Sequence, residues 1–178
     1  VKGKSNYLRE MYGIAEDKHI AIHLGGMNDW FSCIEIAEVF SRIPDWVLFF
    51  QGNHNKEYLK RFDQVISGEK AKNIIVSRTF YDQLDSLDRV MMSADLGIAW
   101  YNNISKNFTH TGRSSGKIAA YMRFGLPTIA KKYPSMVDAI EDTGAGFCVD
   151  EYDEIEEAVK KIQGNIKFFS ENALREYE

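Results

Sequence analysis

The chain of 178 residues fits one domain of 20.4 kDa and is long enough to bury a hydrophobic core. Hydrophobic residues make up 44% and charged residues 27%, which excludes extensive disorder, and no apolar run is long enough to span a membrane. The net charge of −4 argues against binding nucleic acid or an anionic membrane through bulk charge, but leaves room for a local site that binds one small anion.

Cysteine usage and the start of the chain indicate its compartment and extent. Cys33 and Cys148 stand far apart, outside any Cys-x-x-Cys pattern or His/Cys cluster, so we predict no disulfide framework, no metal site and a reducing cytoplasm. The chain opens with Val1 and has no signal peptide, which predicts a piece of a longer protein comprising one domain over residues 1–178.

Short β-rich apolar runs alternate with amphipathic stretches along the chain. The predicted strands are residues 19–24, 46–50, 74–76, 96–100, 127–130 and 146–149. The predicted helices are residues 34–40, 56–66, 84–91, 117–124, 135–141, 151–162 and 166–178. Asn28 or Asp29 is the expected cap of the first of these helices and Asp82 of the third, and residues 101–114 form one long polar connection.

Continuous apolar strands that alternate with helices predict an α/β fold, a Rossmann-like, doubly wound parallel sheet of six strands flanked by helices. Ligands of such sheets bind beyond the carboxyl ends of the strands. Three segments are expected there: Gly25-Gly26, residues 77–81, and the connection after the fourth strand.

The strongest local signal is the loop of residues 109–117, which is rich in Gly and Ser and opens a helix. The free N–H groups and the dipole of a helix N-terminus favour an anion, and Arg113 and Lys117 add cations, so the loop suits a phosphate or diphosphate. The other interpretation is that Ser114 or Ser115 caps the helix while the two cations are solvated. The loop is not a Walker A motif, because the Lys-Ser/Thr pair is missing.

The segment GRSSGKIAAYMRFGLPTIA, residues 112–130, resembles the donor-binding segment of group 1-like glycosyltransferases with the GT-B fold. That segment often reads S-x-K-hydrophobic-x-E-Y-x-x-x-G-x-P-hydrophobic-I. The segments HIAIHLGG, WVLFFQGNH and MMSADLGIAWY are similar to strands of the same domain, and YLREMYGI to its linker helix. The resemblance spans nearly the whole chain.

The resemblance implies that the chain is the C-terminal, donor-binding half of a hexosyltransferase-like enzyme. Its partner is a nucleotide-sugar, whose sugar is transferred without a metal cofactor to a saccharide or lipid-linked acceptor held by an absent N-terminal domain. The chain alone is then expected to be inactive. The implied setting is polysaccharide biosynthesis in the cytoplasm, with peripheral association of the full protein with the membrane.

The resemblance also assigns residues to the donor. The implied phosphate-binding residues are Gly25, Gly26, Arg113, Ser114, Ser115, Gly116 and Lys117, and the implied base-binding residues are Arg78 and Thr79. The catalytic residue is unknown: His110 is a candidate, although a histidine in a loop is more often solvated. For His19 and His23, on the first strand, packing is the expected role.

Two departures from the family pattern keep a second function open. Many retaining members carry two glutamates separated by seven residues, and the corresponding positions are Gly112 and Ala120. Arg and Lys usually follow the first glycine turn, where residues 27–31 have neither. The alternative is therefore a non-catalytic module that binds a nucleotide or sugar phosphate. A dinucleotide-dependent enzyme is disfavoured because Gly-x-Gly-x-x-Gly is missing.

Overall fold

The computed structural model describes residues 3–77 and 84–178. The strands are β1 (His19–Leu24), β2 (Trp46–Gln51), β3 (Ile74–Val76), β4 (Leu96–Ala99), β5 (Thr128–Lys131) and β6 (Gly146–Val149). The helices are α1 (Tyr7–Tyr12), α2 (Cys33–Phe40), α3 (Lys56–Val65), α4 (Leu84–Ser93), α5 (Lys106–Thr109), α6 (Gly116–Arg123), α7 (Pro134–Met136), α8 (Glu154–Gly164) and α9 (Ile166–Tyr177). None of these helices has the length and apolarity needed to cross a bilayer.

The strands form one parallel sheet in the order β3-β2-β1-β4-β5-β6. This order confirms the predicted doubly wound, Rossmann-like architecture. The chain runs outward from β1 to β3 and then crosses back to β4, so the winding reverses between β1 and β4. In this class of fold, a crevice at the carboxyl ends of those two strands is the usual place for a ligand.

Both faces of the sheet are covered, which explains why the strands are almost continuously apolar. All six residues of β2 are buried. Helices α2, α3 and α8 pack on one face, where Trp46 and Trp100 are buried. Helices α1, α4, α6 and α7 pack on the other face, with Ala173 of α9. Cys33 and Cys148 are free, buried thiols.

The structure differs from the prediction mainly in the irregular segments. Asn28 caps a 3₁₀ turn, Asp29–Phe31, and Ser32 at φ +48° then leads into α2. The long polar connection contains α5 and a second 3₁₀ turn, Gly112–Ser114. Helix α7 continues as a π-helical turn over Val137–Glu141. The predicted cap Asp82 lies outside the described residues.

Candidate functional site

The loops that follow β1 and β4 meet at the carboxyl edge of the sheet and are joined by Asn102. The Asn102 backbone N–H donates to the Trp30 carbonyl (2.8 Å), and its side-chain amide donates to the Asp29 carbonyl (2.6 Å). Its side-chain oxygen accepts from the Ser32 hydroxyl (3.0 Å) and from the Trp100 indole (3.1 Å). Asn102 therefore fixes the two loops to each other beside the β1–β4 crevice.

The turn after β1 is built on close backbone contact with the turn after β2. Gly25 has φ +116°, and its N–H donates to the Gln51 carbonyl (2.8 Å). A Cβ on Gly52, at φ +150°, would lie 2.5 Å from the Gly25 carbonyl carbon. A Cβ on Gly25 would lie 3.5 Å from Cε of Lys117, so the lysine stem runs along the bare side of this glycine. Gly26 follows in the same turn.

The N-terminus of α6 points into this region. The Ser115 hydroxyl accepts from the Ile118 N–H (3.2 Å) and lies 2.7 Å from the Tyr101 hydroxyl. The capping interpretation is therefore correct for Ser115. The backbone N–H groups of Gly116 and Lys117 have no hydrogen-bond acceptor within residues 3–77 and 84–178, so the cap leaves two donors that an anion can use.

The Lys117 ammonium lies at the centre of the site, next to the end of β1. Its Nζ is 3.3 Å from Nε2 of His23, and it faces the rings of Phe31 (4.4 Å to the centroid) and Tyr101 (5.0 Å). Lys117 forms no ion pair with a carboxylate in the described part of the chain. Burial lowers the pKa of Lys117 to about 8, because the surroundings disfavour the charged form.

His23 is the buried acceptor beneath this ammonium. Its side chain is fully buried, and burial followed by the nearby Lys117 charge lowers its pKa well below the usual value, so the ring is neutral. Because an ammonium only donates, Nε2 accepts, which assigns the imidazole proton to Nδ1. Nδ1 has no hydrogen-bond partner outside its own residue among the described residues. The packing role predicted for His23 therefore includes a polar contact with Lys117.

Tyr121 of α6 holds β1 and β4 where they separate. Its hydroxyl accepts from the Leu24 N–H (2.9 Å) and lies 3.2 Å from the Ile22 carbonyl and 3.0 Å from the Ile98 carbonyl. The ring fits over Gly97, where a Cβ would lie 2.5 Å from the ring carbon Cγ. One side chain thus contacts the backbone of both strands at the carboxyl end of their pairing.

Replacing Tyr121 with phenylalanine should lower the free energy of unfolding by about 1–3 kcal/mol, because the partly buried Leu24 N–H loses its acceptor. Urea denaturation of the purified variant measures this. The control is Tyr12→Phe: this side chain packs on Phe49, but its hydroxyl makes no hydrogen bond among the described residues, so we expect less than about 0.5 kcal/mol. Equal losses in the two variants would contradict the role given to the Tyr121 hydroxyl.

The structure does not bring every predicted residue to this cluster. The Arg113 side chain points to another side of α6, where it pairs with Asp138 (2.7 Å) and Glu176. The exposed Ser114 donates its hydroxyl to the Thr111 carbonyl (2.9 Å). The exposed His110 is the residue directly after α5. Arg78 and Thr79, the predicted base-binding residues, lie outside the described residues.

The position of the first family glutamate is closed to any side chain. A Cβ on Gly112 would lie 2.6 Å from the Ser135 carbonyl carbon and still closer to its oxygen. The Gly112 N–H also donates to the Ser135 hydroxyl (3.3 Å), which in turn donates to the Thr109 carbonyl (2.8 Å). The backbone of α7, to which Ser135 belongs, therefore occupies the space that a side chain at residue 112 would need.

A separate cavity of about 670 Å³ opens near the amino-terminal ends of the strands, opposite the candidate site. Val47, Asn73 and Ile75 line it at the amino-terminal side of β2 and β3, together with Ile14 from the segment before β1. It shares no residue with the Lys117 cluster, so it is not part of the candidate site.

The model of one protein family matches the chain. The family is described as glucosyltransferase 3-like, C-terminal domain, and the match covers residues 48–167, which is 120 of the 178 residues. No curated protein sequence matches.

Several solved structures of glycosyltransferases are similar to the structure of this chain, at low sequence identity. The C-terminal domain of LpcC, a glycosyl transferase group 1 family protein from Francisella tularensis, superposes with a TM-score of 0.76 at 16% identity over 99% of this chain and 90% of that one. HepE from Anabaena, solved with UDP and glucose, gives 0.77 at 16% identity over 97% of this chain and 45% of that one. WaaG, which is involved in lipopolysaccharide biosynthesis, gives 0.70 at 16% identity over 99% and 47%.

These likenesses confirm the predicted fold, that of the C-terminal half of GT-B glycosyltransferases. The chain spans slightly less than half the length of HepE and of WaaG, and nearly all of the LpcC domain.

Proposed function

Because the chain belongs to the glucosyltransferase 3-like, C-terminal domain family, we propose that its Lys117 cluster binds the diphosphate of a nucleotide-sugar donor. In this proposal Gly25 and Gly26 let the donor approach the backbone, and the N–H groups of Gly116 and Lys117 bind phosphate oxygens. Ser115 shapes the turn as its cap. Arg78 and Thr79 remain the proposed contacts to the base.

The Lys117 ammonium, which has no carboxylate partner among the described residues, is the observation that carries this proposal. A partly buried cation beside a histidine and two aromatic rings is less stable than one that is paired with an anion. Two free N–H groups at the start of α6 add to the preference for negative charge, since the helix dipole contributes about half a positive elementary charge there. A diphosphate at this point would satisfy all these groups together.

The Lys117 ammonium and the N–H groups at the start of α6 also suit the transfer of a sugar. In the proposed reaction the bond between the anomeric carbon and the diphosphate breaks, and the acceptor oxygen forms the new glycosidic bond while it loses its proton. The nucleoside diphosphate leaves with additional negative charge on its terminal phosphate. Lys117 and the α6 N–H groups would stabilise this charge, which is the main electrostatic requirement of the step.

The full protein is proposed to be larger than the 178-residue chain. HepE and WaaG are about twice as long as the part that this chain matches, which supports residues 1–178 as a donor-binding domain completed by an N-terminal acceptor domain. The proposed acceptor is a saccharide or a lipid-linked saccharide in polysaccharide biosynthesis, on the cytoplasmic face of a membrane. HepE has been solved with UDP-glucose, which makes UDP-glucose the first donor to test.

A non-catalytic nucleotide-sugar-binding module is the second candidate, and Gly112 favours it. The carboxylate that many retaining relatives are expected to carry is absent there, and the Ser135 backbone leaves no room for it. Ala120, at the second glutamate position, also has no carboxylate. Turnover of UDP-glucose by the complete protein with acceptor extracts would separate an enzyme from a module that only binds.

Thermal denaturation of the chain with nucleotide sugars tests the proposed function. One of UDP-glucose, ADP-glucose, GDP-mannose and dTDP-glucose at about 100 times its Kd should stabilise the fold by about 2.7 kcal/mol. For a domain of this size, that raises the melting temperature by about 5–10 °C. Uridine, which has no phosphate, is the control and should cause no shift. No shift with any of the four compounds at millimolar concentration would overturn the proposal.

A further inference from the structure

We propose that His23 is a positioning residue that holds the Lys117 ammonium against the Gly25 turn, and that binding of a donor diphosphate at this ammonium takes up a proton. This inference rests on the proposed function, because it concerns the same site. It adds a role for a strand residue that the donor need not touch, and a dependence of donor affinity on pH.

The position of the ammonium follows from three neutral contacts. Lys117 extends from the first turn of α6 along Gly25 and ends 3.3 Å from the imidazole of His23. The faces of Phe31 and Tyr101 close over it at 4.4 and 5.0 Å. Of these contacts only Nε2 of His23 is a lone-pair acceptor, and one such bond fixes the direction in which a flexible lysine points.

The ionisable groups around Lys117 carry no negative charge at neutral pH. The Sγ atom of Cys33, in α2, lies 3.9 Å from Nε2 of His23, and burial raises the pKa of this thiol to about 12. Burial also raises the pKa of Tyr101, in the loop after β4, and raises that of Tyr121 of α6 well above its usual value.

The more distant ionisable groups Tyr58 and Asp29 add no unpaired negative charge near Lys117. Burial raises the pKa of Tyr58 of α3, which neighbours Cys33. On the loop after β1, Asp29 is already paired with Arg61 at 2.7 Å. Within the described part of the chain, the ammonium therefore has only neutral neighbours until an anion binds.

The direction of the pH effect follows from this arrangement. The free site has a lysine whose pKa is lowered to about 8 by burial, and a bound diphosphate favours the charged form and raises that pKa. With a pKa near 8, about one tenth of the lysines are neutral at pH 7 and about three quarters at pH 8.5. Binding should therefore take up about 0.1 proton at pH 7 and about 0.75 at pH 8.5, and affinity should fall about fourfold between them.

Isothermal titration of the 178-residue chain with UDP-glucose, in two buffers of different ionisation enthalpy at each pH, measures the proton uptake directly. The phosphates of this probe do not ionise in this range, so an uptake belongs to the protein. Binding that is independent of pH and buffer would overturn this inference and leave the proposed function standing. An absence of binding under every condition would overturn both.

Variants of His23 test its role. His23→Leu removes the acceptor, and we expect a fivefold to tenfold loss of affinity at pH 7 with the proton uptake displaced to lower pH. His23→Gln keeps an oxygen acceptor and should recover most of the affinity. Affinity and proton uptake unchanged in His23→Leu would overturn the positioning role. If His23→Leu does not fold, His23→Phe, which keeps an aromatic ring but also lacks the acceptor, replaces it: a loss of affinity with a displaced proton uptake supports the role, and unchanged affinity and uptake overturn it.

Discussion

Replacing Lys117 with methionine should weaken the binding of UDP-glucose by about tenfold to a hundredfold. A hydrogen bond to a charged group contributes about 1.5–3 kcal/mol. Among the described residues, no other lysine or arginine contacts His23 or Gly25. Methionine keeps the length and apolar character of the stem that runs along Gly25, so the fold should be preserved. Isothermal titration of both proteins at pH 7 gives the ratio of the two dissociation constants.

Two further variants make this result specific. Lys160→Met removes a lysine that pairs with Glu156 on the exposed surface of α8, and it should leave the affinity unchanged. Arg113→Ala tests the sequence-based prediction that Arg113 and Lys117 both bind the phosphates. Because Arg113 is paired with Asp138 and Glu176, we expect a loss of less than about twofold. Equal losses for Lys117→Met and Arg113→Ala would contradict the central place given to Lys117.

Much of the fold could be predicted because its signals are local. Each strand is a short apolar run that ends near a glycine or polar residue, and only such runs can lie inside a sheet covered on both faces. The strand bounds differ from the prediction by at most one residue at either end. The four-residue helix α5 was not predicted, since it lies in a polar connection and its side chains give no clear periodicity.

The site could be predicted only in part, because its contacts join distant parts of the chain. The glycine turn after β1 and the start of α6 were both expected at the carboxyl edge, and Gly25 and Lys117 do lie together there. The contact of Lys117 with His23 spans 94 residues, and local spacing carries no information about it. Asn102 joins two loops through hydrogen bonds that no motif in this sequence predicts.

Arg113 and Lys117 show why a basic loop does not identify its own binding residue. They are four residues apart and equally suited to a phosphate by residue type. Their surroundings differ, since acidic residues from the segment after β5 and from α9 neutralise Arg113, whereas a neutral histidine and aromatic rings surround Lys117. The charge that remains available is set by the tertiary neighbours.

Two glycines of the same loop should respond oppositely to alanine. Gly112→Ala places a methyl group against the Ser135 backbone, 2.6 Å from its carbonyl carbon, and backbone can move less easily than a flexible side chain. We expect a loss of about 2–3 kcal/mol, in the upper part of the range for overpacked sites, and a fall in melting temperature of about 5–10 °C. A glutamate would need the same Cβ, so Gly112→Glu should be at least as unstable.

Gly116→Ala is the matched control, four residues further along the chain. Apart from its chain neighbours and the backbone of its own helix, no atom of residues 3–77 and 84–178 lies within 4 Å of a Cβ at this position, and the residue is in the first turn of α6. Alanine there should leave stability unchanged or raise it by about 0.5–1 kcal/mol, because it restricts the unfolded chain. Differential scanning calorimetry of the three proteins measures the contrast. If Gly112→Ala melts at the same temperature as Gly116→Ala, the Ser135 backbone can give way, and the missing family carboxylate would then reflect the choice of residue rather than a steric limit of this fold.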